Sequence, residues 1–306
     1  AARVSLDTIH VSIVSDGTTA LRMFETGKLD FLSTIVNPLS TVDLAQAKTQ
    51  GSLRSVPVGG LRFCTFNTTQ FPLNNKHIRK ALGLAIDRTT IADHLCYLGE
   101  GVATRILSPV LVGFVEKQLY PSNTTSVAKK AWEEGLKELG VDAKTVTKAL
   151  TLSYESTETN HQIAQAIQQQ WKQALGIEVP LQDYETKTVM QKHMSRDYSV
   201  GIDYCIAQYH DGNNILERFL HRNVKKNLPG FEHPEYIRLL DLAQNATDAG
   251  TRLKFMELAE ELLADEMAIM PLYHIQFGAL VKPEFKNVQF SPLGNLLFKK
   301  VMKQCF

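Results

Sequence analysis

The sequence predicts an α/β protein, and three observations support this. Short stretches that alternate apolar and polar residues, the period of a half-buried strand, are separated by longer stretches with helical spacing. The 306 residues are 44% hydrophobic and 21% charged, a composition that allows one large core or two moderate ones, and the length slightly favours two domains. No apolar run reaches the roughly 18 residues that span a bilayer. We therefore expect a soluble chain built from strands and helices.

The N-terminal segment has the pattern of a β-α-β unit. Residues 5–14, SLDTIHVSIV, alternate like a half-buried strand. Helical spacing follows and ends at Gly27, before a short apolar segment. Residues 52–73 are extended again and are interrupted by the Gly59-Gly60 pair. A crossing of the chain between two lobes is expected there.

Residues 71–91, FPLNNKHIRKALGLAIDRTTI, predict a helix with Asn75 as its cap. One face is apolar, with Ile78, Ala81, Leu82, Ala85 and Ile86. The polar face holds Lys76, Arg79, Lys80 and Arg88. Arg79 and the Asp87-Arg88 pair are expected to pin this helix by hydrogen bonds and ion pairs.

The rest of the chain continues the alternation. A helix ending at Gly140 precedes a strand within 149–156, and a helix capped by Thr159 or Asn160 ends at Gly176. A further helix and two helices near the C-terminus are also predicted. The further helix is predicted at 185–195, and strands are predicted at 177–181 and 198–210. Residues 233–281 are predicted to form the two C-terminal helices followed by a strand.

Charge and motifs exclude several function classes. Lys+Arg 33 and Asp+Glu 32 leave a net charge of +1 without a dense basic window, so nucleic acid is not an expected partner. The nucleophile elbow, Walker loop, Rossmann fingerprint and HExxH motif are absent. The nine histidines are scattered. We expect no enzyme activity, no cofactor and no metal site. The N-terminus does not resemble a signal peptide.

The four cysteines, Cys64, Cys96, Cys205 and Cys305, form no CxxC pair. Zinc-ribbon and thioredoxin-like sites are therefore not expected. Buried, unreactive thiols are the simplest interpretation.

Five stretches together resemble the oligopeptide- and dipeptide-binding proteins of bacterial peptide ABC importers, extracellular solute-binding protein family five. The most specific is FNTTQFPLNNKHIRKALGLAIDRTTI, in which an Asn ends a strand and a helix closes on Ala-Ile-Asp-Arg. The other four occur in the family's order: ALRMFETGKLDFL, AKKAWEEGLKELG, QQQWKQALGIEVPLQ and MAIMPLYHIQFGALVKP.

The resemblance implies a two-lobed periplasmic-binding-protein-like (type II) α/β fold, with the second lobe complete and the first partial. Residues 1–58 and 276–306 would form partial lobe one, and 59–275 lobe two. Relatives have an additional N-terminal portion without a counterpart here. Residues 59–63 and 273–277 are expected to run side by side as hinge strands.

The resemblance also implies a function. The protein would be the solute-binding component of an ABC importer, capturing peptides or a similar small solute in an interlobe cleft and delivering it to the membrane permease. It would be periplasmic or at the cell surface, meeting the membrane only through the permease or a lipid anchor. An alternative is the ligand-sensing domain of a transcriptional regulator with the same fold. An enzyme would require an unexpected constellation in the cleft.

In peptide-binding relatives, the strand that corresponds to GIDYCIAQYH lines the cleft and pairs with the peptide backbone. The Asp that holds the peptide α-amine there aligns with Gln208, and an Arg used near the other end aligns with Ile202. Period two places Ile202, Tyr204, Ile206 and Gln208 on one face. The expected ligand-binding residues are Phe63, Glu155, Asn160, Tyr204, Cys205, Ile206, Gln208, Tyr209 and His274. Tyr204 and Tyr209 are alternatively core aromatics.

Charge near this face would come from Arg62, Glu155 or Asp203. Relatives often bridge the crossing strand to the cleft strand with a disulfide. Compared with those positions, Cys64 is displaced by four residues and Cys205 by one, which flips the strand face of Cys205. We predict no disulfide between Cys64 and Cys205.

Overall fold

The computed structural model describes residues 4, 6–14, 16–34, 39–122 and 124–304. Its α-helices are α1 Gly17–Glu25, α2 Thr41–Thr49, α3 Lys76–Leu84, α4 Arg88–Leu95, α5 Thr125–Leu139, α6 Ala143–Lys148, α7 Glu158–Leu175, α8 Thr186–Ser195, α9 Asn213–Leu216, α10 Pro234–Asn245 and α11 Ala249–Glu266. Its strands are β1 Phe31–Ser33, β2 Leu53–Phe66, β3 Leu152–Glu155, β4 Leu181–Tyr184, β5 Val200–Ile206, β6 Ile269–Val281, β7 Phe285–Lys286, β8 Gln289–Phe290, β9 Leu296–Leu297 and β10 Met302–Lys303. The predicted mixture of helices and strands is therefore confirmed.

The main sheet has six strands in the order β1-β6-β2-β5-β3-β4. β2 is antiparallel to β5, with Arg62 opposite Tyr204, whereas β3 is parallel to both β4 and β5. β2 and β6 are neighbours. These are the strands that contain residues 59–63 and 273–277, which were predicted to run side by side.

The chain divides into two compact units. Unit 1 comprises Ala1–Gly59, Cys96–Glu100 and Ile275–Phe306, and unit 2 comprises Gly60–Leu95 and Gly101–His274. β2 and β6 each continue from one unit into the other.

In unit 2, helices pack against one another, and α7 and α8 contact β3 and β4. α3 packs against α5, and α10 packs against α11. Trp171 of α7 is fully buried, and its indole N–H donates to the carbonyl of Leu82 over 2.8 Å. Glycine ends two of the long helices, because Gly140 and Gly176 have φ of 66° and 70°, a conformation that other residues adopt at a cost. Both stops were predicted.

The predicted strand at 5–14 is not formed: the described residues 6–14 belong to no strand. Val11 and Ile13 are 83% and 99% exposed. Alternation favours a strand only when a neighbouring strand accepts its hydrogen bonds and covers its apolar face. No strand in the described part of the chain does so for this segment.

The predicted helix at 71–91 is two helices. Asn75 caps α3 as predicted, because its side chain accepts from the N–H of Ile78. α3 ends at Leu84, and Asp87 then accepts from the N–H groups of Thr89 and Thr90 at the start of α4. The local hydrogen bonds of Asp87 start a new helix.

Arg79 and Arg88 were predicted on a polar face, but both are buried. Arg79 donates to the carbonyls of Leu73 and Glu266, and Arg88 to those of Tyr120 and Pro121. Their expected pinning role is confirmed. Burial lowers the pKa of each guanidinium to about 10, which keeps both charged at neutral pH.

Two boundaries also differ from the predictions. Thr157 caps α7 instead of Thr159 or Asn160, since its side chain accepts from the N–H of Asn160. The strand predicted at 177–181 is displaced, because β4 begins at Leu181 and pairs with β3 only from that residue. Pro180 has no N–H to donate, and its carbonyl accepts from Leu152.

The prediction that no disulfide joins Cys64 and Cys205 is confirmed, because both are free and buried. Cys64 is opposite Ile202 and Cys205 is opposite Leu61. Residues that face each other across antiparallel strands share a face, and three positions separate Ile202 from Cys205. The two thiols therefore lie on opposite faces of the sheet. Cys305 lies outside the described residues.

Candidate functional site

The backbone of β5 has an open edge at Tyr204. Along its other edge β5 pairs with β2 from Val200 to Ile206, but β3 pairs with β5 only at Val200 and Gly201. The N–H of Val200 donates to the carbonyl of Thr151 on the β3 side. Backbone groups point to the same edge at every second residue, so the N–H and C=O of Tyr204 also point to that side. In the described part of the chain, no strand pairs with them there.

The side chains beside this edge include an aromatic ring and a guanidinium. Tyr204 is 53% exposed, which excludes the alternative that it is a core aromatic. Arg62, opposite Tyr204 on β2, lies with its guanidinium carbon 5.7 Å from the centroid of the Tyr204 ring. This distance is within the range of a cation–π contact. The two side chains form one surface on unit 2.

Asn160 connects this surface to β3. Its side-chain Nδ2 donates to the carbonyl of Glu155 over 3.0 Å, and its Oδ1 accepts from Nη2 of Arg62. The carboxylate of Glu155 accepts from the hydroxyl of Thr186 over 2.6 Å. Asn160 is buried, and its two hydrogen bonds hold the side-chain amide in one orientation. The predicted residues Glu155, Asn160 and Tyr204 are thus joined through Arg62.

Gln208 and Tyr209 lie beyond the end of β5, in a separate hydrogen-bonded group. The prediction that Gln208 shares a strand face with Tyr204 is therefore wrong, because β5 ends at Ile206. The N–H of Gln208 donates to Oδ1 of Asn214, whose Nδ2 donates to Glu217. The hydroxyl of Tyr209 also donates to Glu217, and Lys226 donates to the side-chain oxygen of Gln208 over 3.3 Å.

Tyr209 is 44% exposed, so it is not a core aromatic either. Burial of part of the ring and the Glu217 carboxylate raise the pKa of its hydroxyl. The contributions of Glu217 and Lys226 were missed by sequence reasoning. Both follow β5 in loops or short helices without a periodic pattern, so no signal in the sequence marks them.

The other predicted residues present less to solvent. Phe63 is buried on β2, and Cys205 has a buried side chain. The carbonyl of Ile206 accepts from Nη2 of Arg218 over 2.9 Å. His274 donates from Nε2 to the carbonyl of Arg105, and burial lowers its pKa to about 4. His274 is therefore neutral at pH 7, and its hydrogen bond is made inside the fold.

A Ser–His–Asp arrangement lies under β5. Nε2 of His193 is 2.7 Å from the hydroxyl of Ser153, and Nδ1 is 2.8 Å from Oδ2 of Asp203. Ser153 and His193 are 4% and 1% exposed. Asp203 alternates with Tyr204, so the arrangement lies on the sheet face opposite to Tyr204. A nucleophile must reach its substrate, and this hydroxyl is enclosed and also donates to the carbonyl of Val200. Ser153, His193 and Asp203 therefore stabilise β5 through hydrogen bonds on the sheet face opposite to Tyr204.

Unit 1 contains a cavity of about 590 Å³, which is lined largely by apolar side chains. None of the nine predicted ligand-binding residues lies among its lining residues. The residues that line the cavity include Leu6, Ile9, Val11, Phe31 and Phe285.

The described residues lack two further features. No group of three or more His, Cys, Asp or Glu side chains within them is arranged to hold a metal ion. Among the same residues, no helix has both the length and the apolar character needed to cross a membrane.

Comparison with known proteins decides the family. The profile of bacterial extracellular solute-binding proteins, family 5 (middle portion), matches residues 1–227. The chain belongs to this family. The family resemblance inferred from the five sequence stretches is confirmed.

Relatives in family 5 include two proteins of Bacillus subtilis. The oligopeptide-binding protein OppA is 31% identical over 299 residues, covering 97% of this chain and 55% of the relative. The dipeptide-binding protein DppE is 31% identical over 306 residues, covering 97% of this chain and 54% of the relative. The chain thus spans about half the length of these relatives.

Solved structures show the same fold. Listeria monocytogenes OppA bound to peptide has a TM-score of 0.77 and 26% identity, over 99% of this chain and 59% of that one. An oligopeptide-binding protein of Borrelia burgdorferi has a TM-score of 0.82 and 23% identity, over 98% and 59%. The fold is that of the family 5 peptide-binding proteins, and a partial first lobe is consistent with these coverages.

Proposed function

We propose that this protein is the solute-binding component of a bacterial peptide ABC importer and that unit 2 provides a peptide-binding strand edge. The named relatives are oligopeptide- and dipeptide-binding proteins, and no finding favours a transcriptional regulator. The family consists of substrate-binding proteins, which agrees with a function other than catalysis.

The open edge of β5 at Tyr204 carries the proposal. An extended peptide can add to such an edge as a further strand, with main-chain hydrogen bonds supplying affinity. The bonds would form with the N–H and C=O of Tyr204, which β3 leaves unpaired. The exposed Tyr204 ring beside the edge offers a surface for ligand side chains. Glu155, Asn160, Gln208 and Tyr209 would lie around the peptide, with Phe63, Cys205, Ile206 and His274 as supporting positions.

The proposal extends to the whole protein. Residues 59–275 would form lobe two, and residues 1–58 with 276–306 would contribute to lobe one. The protein would act in the periplasm or at the cell surface and deliver its ligand to the permease subunits of the importer. The substrate class, the location and these partners rest on family membership.

Calorimetric titration of the whole protein with short peptides tests the function. A tetrapeptide that binds is compared with versions that carry an N-methyl group on one backbone amide. Methylation at the residue that pairs with the β5 edge removes one backbone hydrogen bond, which is worth about 0.5–1.5 kcal/mol, and weakens binding roughly two- to tenfold.

Methylation of the adjacent amide is the control, because alternate backbone groups of a strand point to opposite edges. We expect a clear effect from one amide and little from its neighbour. Failure of every di- to pentapeptide to bind would contradict the proposed function. Equal effects from adjacent amides would contradict strand addition at β5.

A further inference from the structure

We propose that Arg62 binds a carboxylate group of the ligand. The inference rests on the proposed function and adds to it the charge of one ligand group. The position is on β2 in unit 2, beside the open edge of β5. It would favour ligands that present a terminal carboxylate or an acidic side chain at this place.

Arg62 lacks the ion pair that several other arginines of unit 2 form. Arg79, Arg105 and Arg252 each form an ion pair with a carboxylate. In the described residues, the hydrogen-bond partner of the Arg62 guanidinium is the neutral side-chain amide of Asn160. Its Nε is buried and, like the Nε of Arg88, Arg196 and Arg218, has no hydrogen-bond partner within the described part of the chain. Those three arginines donate from their terminal nitrogens to backbone carbonyls, which, among the described residues, Arg62 does not. A buried donor without an acceptor is costly, so this N–H calls for a partner that the described fold does not supply.

The nearby carboxylates are occupied elsewhere. Asp203 pairs with His193 on the sheet face opposite to Arg62. The carboxylate of Glu155 accepts from the hydroxyl of Thr186. The hydrogen bond to the carbonyl of Glu155 fixes the side chain of Asn160. Its Oδ1 accepts from one of the five N–H donors of Arg62, and the other four receive no acceptor from Asn160. The positive charge of Arg62 is thus not neutralised by the fold.

The surroundings also orient the guanidinium. Tyr204 lies 5.7 Å from its carbon on one side, and Asn160 bonds one of its terminal nitrogens. A planar fork held in this way offers paired N–H groups that match the two oxygens of a carboxylate. Ordering cost is small because Arg62 is half-buried before the ligand arrives. An ammonium group would be repelled from the same place.

Two matched pairs of ligands test the inference in the whole protein. One pair is a binding tetrapeptide with a free or an amidated C-terminus, and the other has Glu or Gln at a middle position. A charge-assisted bond predicts roughly tenfold tighter binding of the acidic member of one pair. The pair that shows the preference identifies the source of the carboxylate.

Three variants locate the effect. Arg62→Gln should reduce the preference to about onefold, and the readout is the ratio of the acidic to the neutral affinity within one variant. Arg62→Lys keeps the charge but not the fork and should retain part of the preference. Arg238→Gln is the control, because Arg238 is on the surface of α10 and pairs with Glu235 of the same helix. It should keep the wild-type preference.

A measurement without peptide keeps the two proposals separate. The Nε–H signal of Arg62 in a ¹⁵N NMR spectrum, assigned by its absence in Arg62→Lys, should shift saturably with sodium acetate but not with sodium chloride. An acetate response without any peptide binding contradicts only the proposed function. Absence of an acetate response, together with absence of any acidic preference that Arg62→Gln removes, overturns the inference.

Discussion

At the scale of single residues, Gln208 is the position where charge differs from the expected family pattern. Its neutral amide accepts a hydrogen bond from Lys226, so the charged group bonded to this side chain is positive. A carboxylate that faces a peptide ammonium contributes about 1.5–3 kcal/mol through a charge-assisted bond, which Gln208 does not offer. We therefore expect N-acetylation of a bound peptide to weaken binding by less than about tenfold, measured by calorimetric titration of the whole protein.

The opposite result has a specific structural meaning. If acetylation abolishes binding while the free peptide binds tightly, another acid holds the amine. Glu217 is the carboxylate connected to Gln208 through Asn214. A Glu217→Gln variant would then lose the preference for the free amine, and our interpretation of Gln208 would be wrong.

At the scale of elements, β5 depends on close packing against α8. A Cβ added at Gly201 would lie 2.6 Å from Cε1 of His193 and 3.0 Å from Oδ2 of Asp203. His193 is buried and held at both ring nitrogens, so it has little freedom to move. We expect Gly201→Ala to lower the free energy of unfolding by about 1–3 kcal/mol, measured by urea denaturation.

Gly101→Ala is the matched control for this change. A Cβ at Gly101 meets no atom within 4 Å. Replacement should change stability by less than about 0.5 kcal/mol. Equal effects of the two substitutions would show that the contact with His193 does not limit this position.

At the scale of the whole molecule, His274 links stability to pH. Burial lowers its pKa in the folded protein to about 4, below the usual value of 6.5. The unfolded chain therefore binds a proton at His274 between pH 6.5 and 4, while the folded chain does not. The contribution is fully present above pH 6.5 and is lost as the pH falls towards 4, by up to about 3 kcal/mol.

Urea unfolding of the whole protein at pH 7 and pH 5 checks this expectation. A His274→Gln variant keeps a donor for the carbonyl of Arg105 but cannot take up the proton. Its stability should fall less between the two pH values than that of the wild type. Parallel losses in the two proteins would contradict the role given to His274.

The sequence by itself determined the features that depend on neighbours along the chain. Helical periodicity, the cap at Asn75 and the stops at Gly140 and Gly176 were all predictable, because caps and turns are made by residues within a few positions. The scarcity of charged residues at 198–210 also marked β5, because a largely buried strand contains few charges. Five ordered stretches were also sufficient to indicate the family.

The tertiary structure decided whatever depends on partners distant in sequence. Residues 6–14 have the alternation of a strand but no neighbouring strand in the described part of the chain. Arg79 and Arg88 have the spacing of surface residues, yet distant carbonyls make their burial favourable. The open edge at Tyr204 exists because β3 pairs with β5 only at Val200 and Gly201. The charge of Arg62 is unpaired because its partner is the neutral amide of Asn160. These are non-local events, and periodicity along the chain carries no information about them.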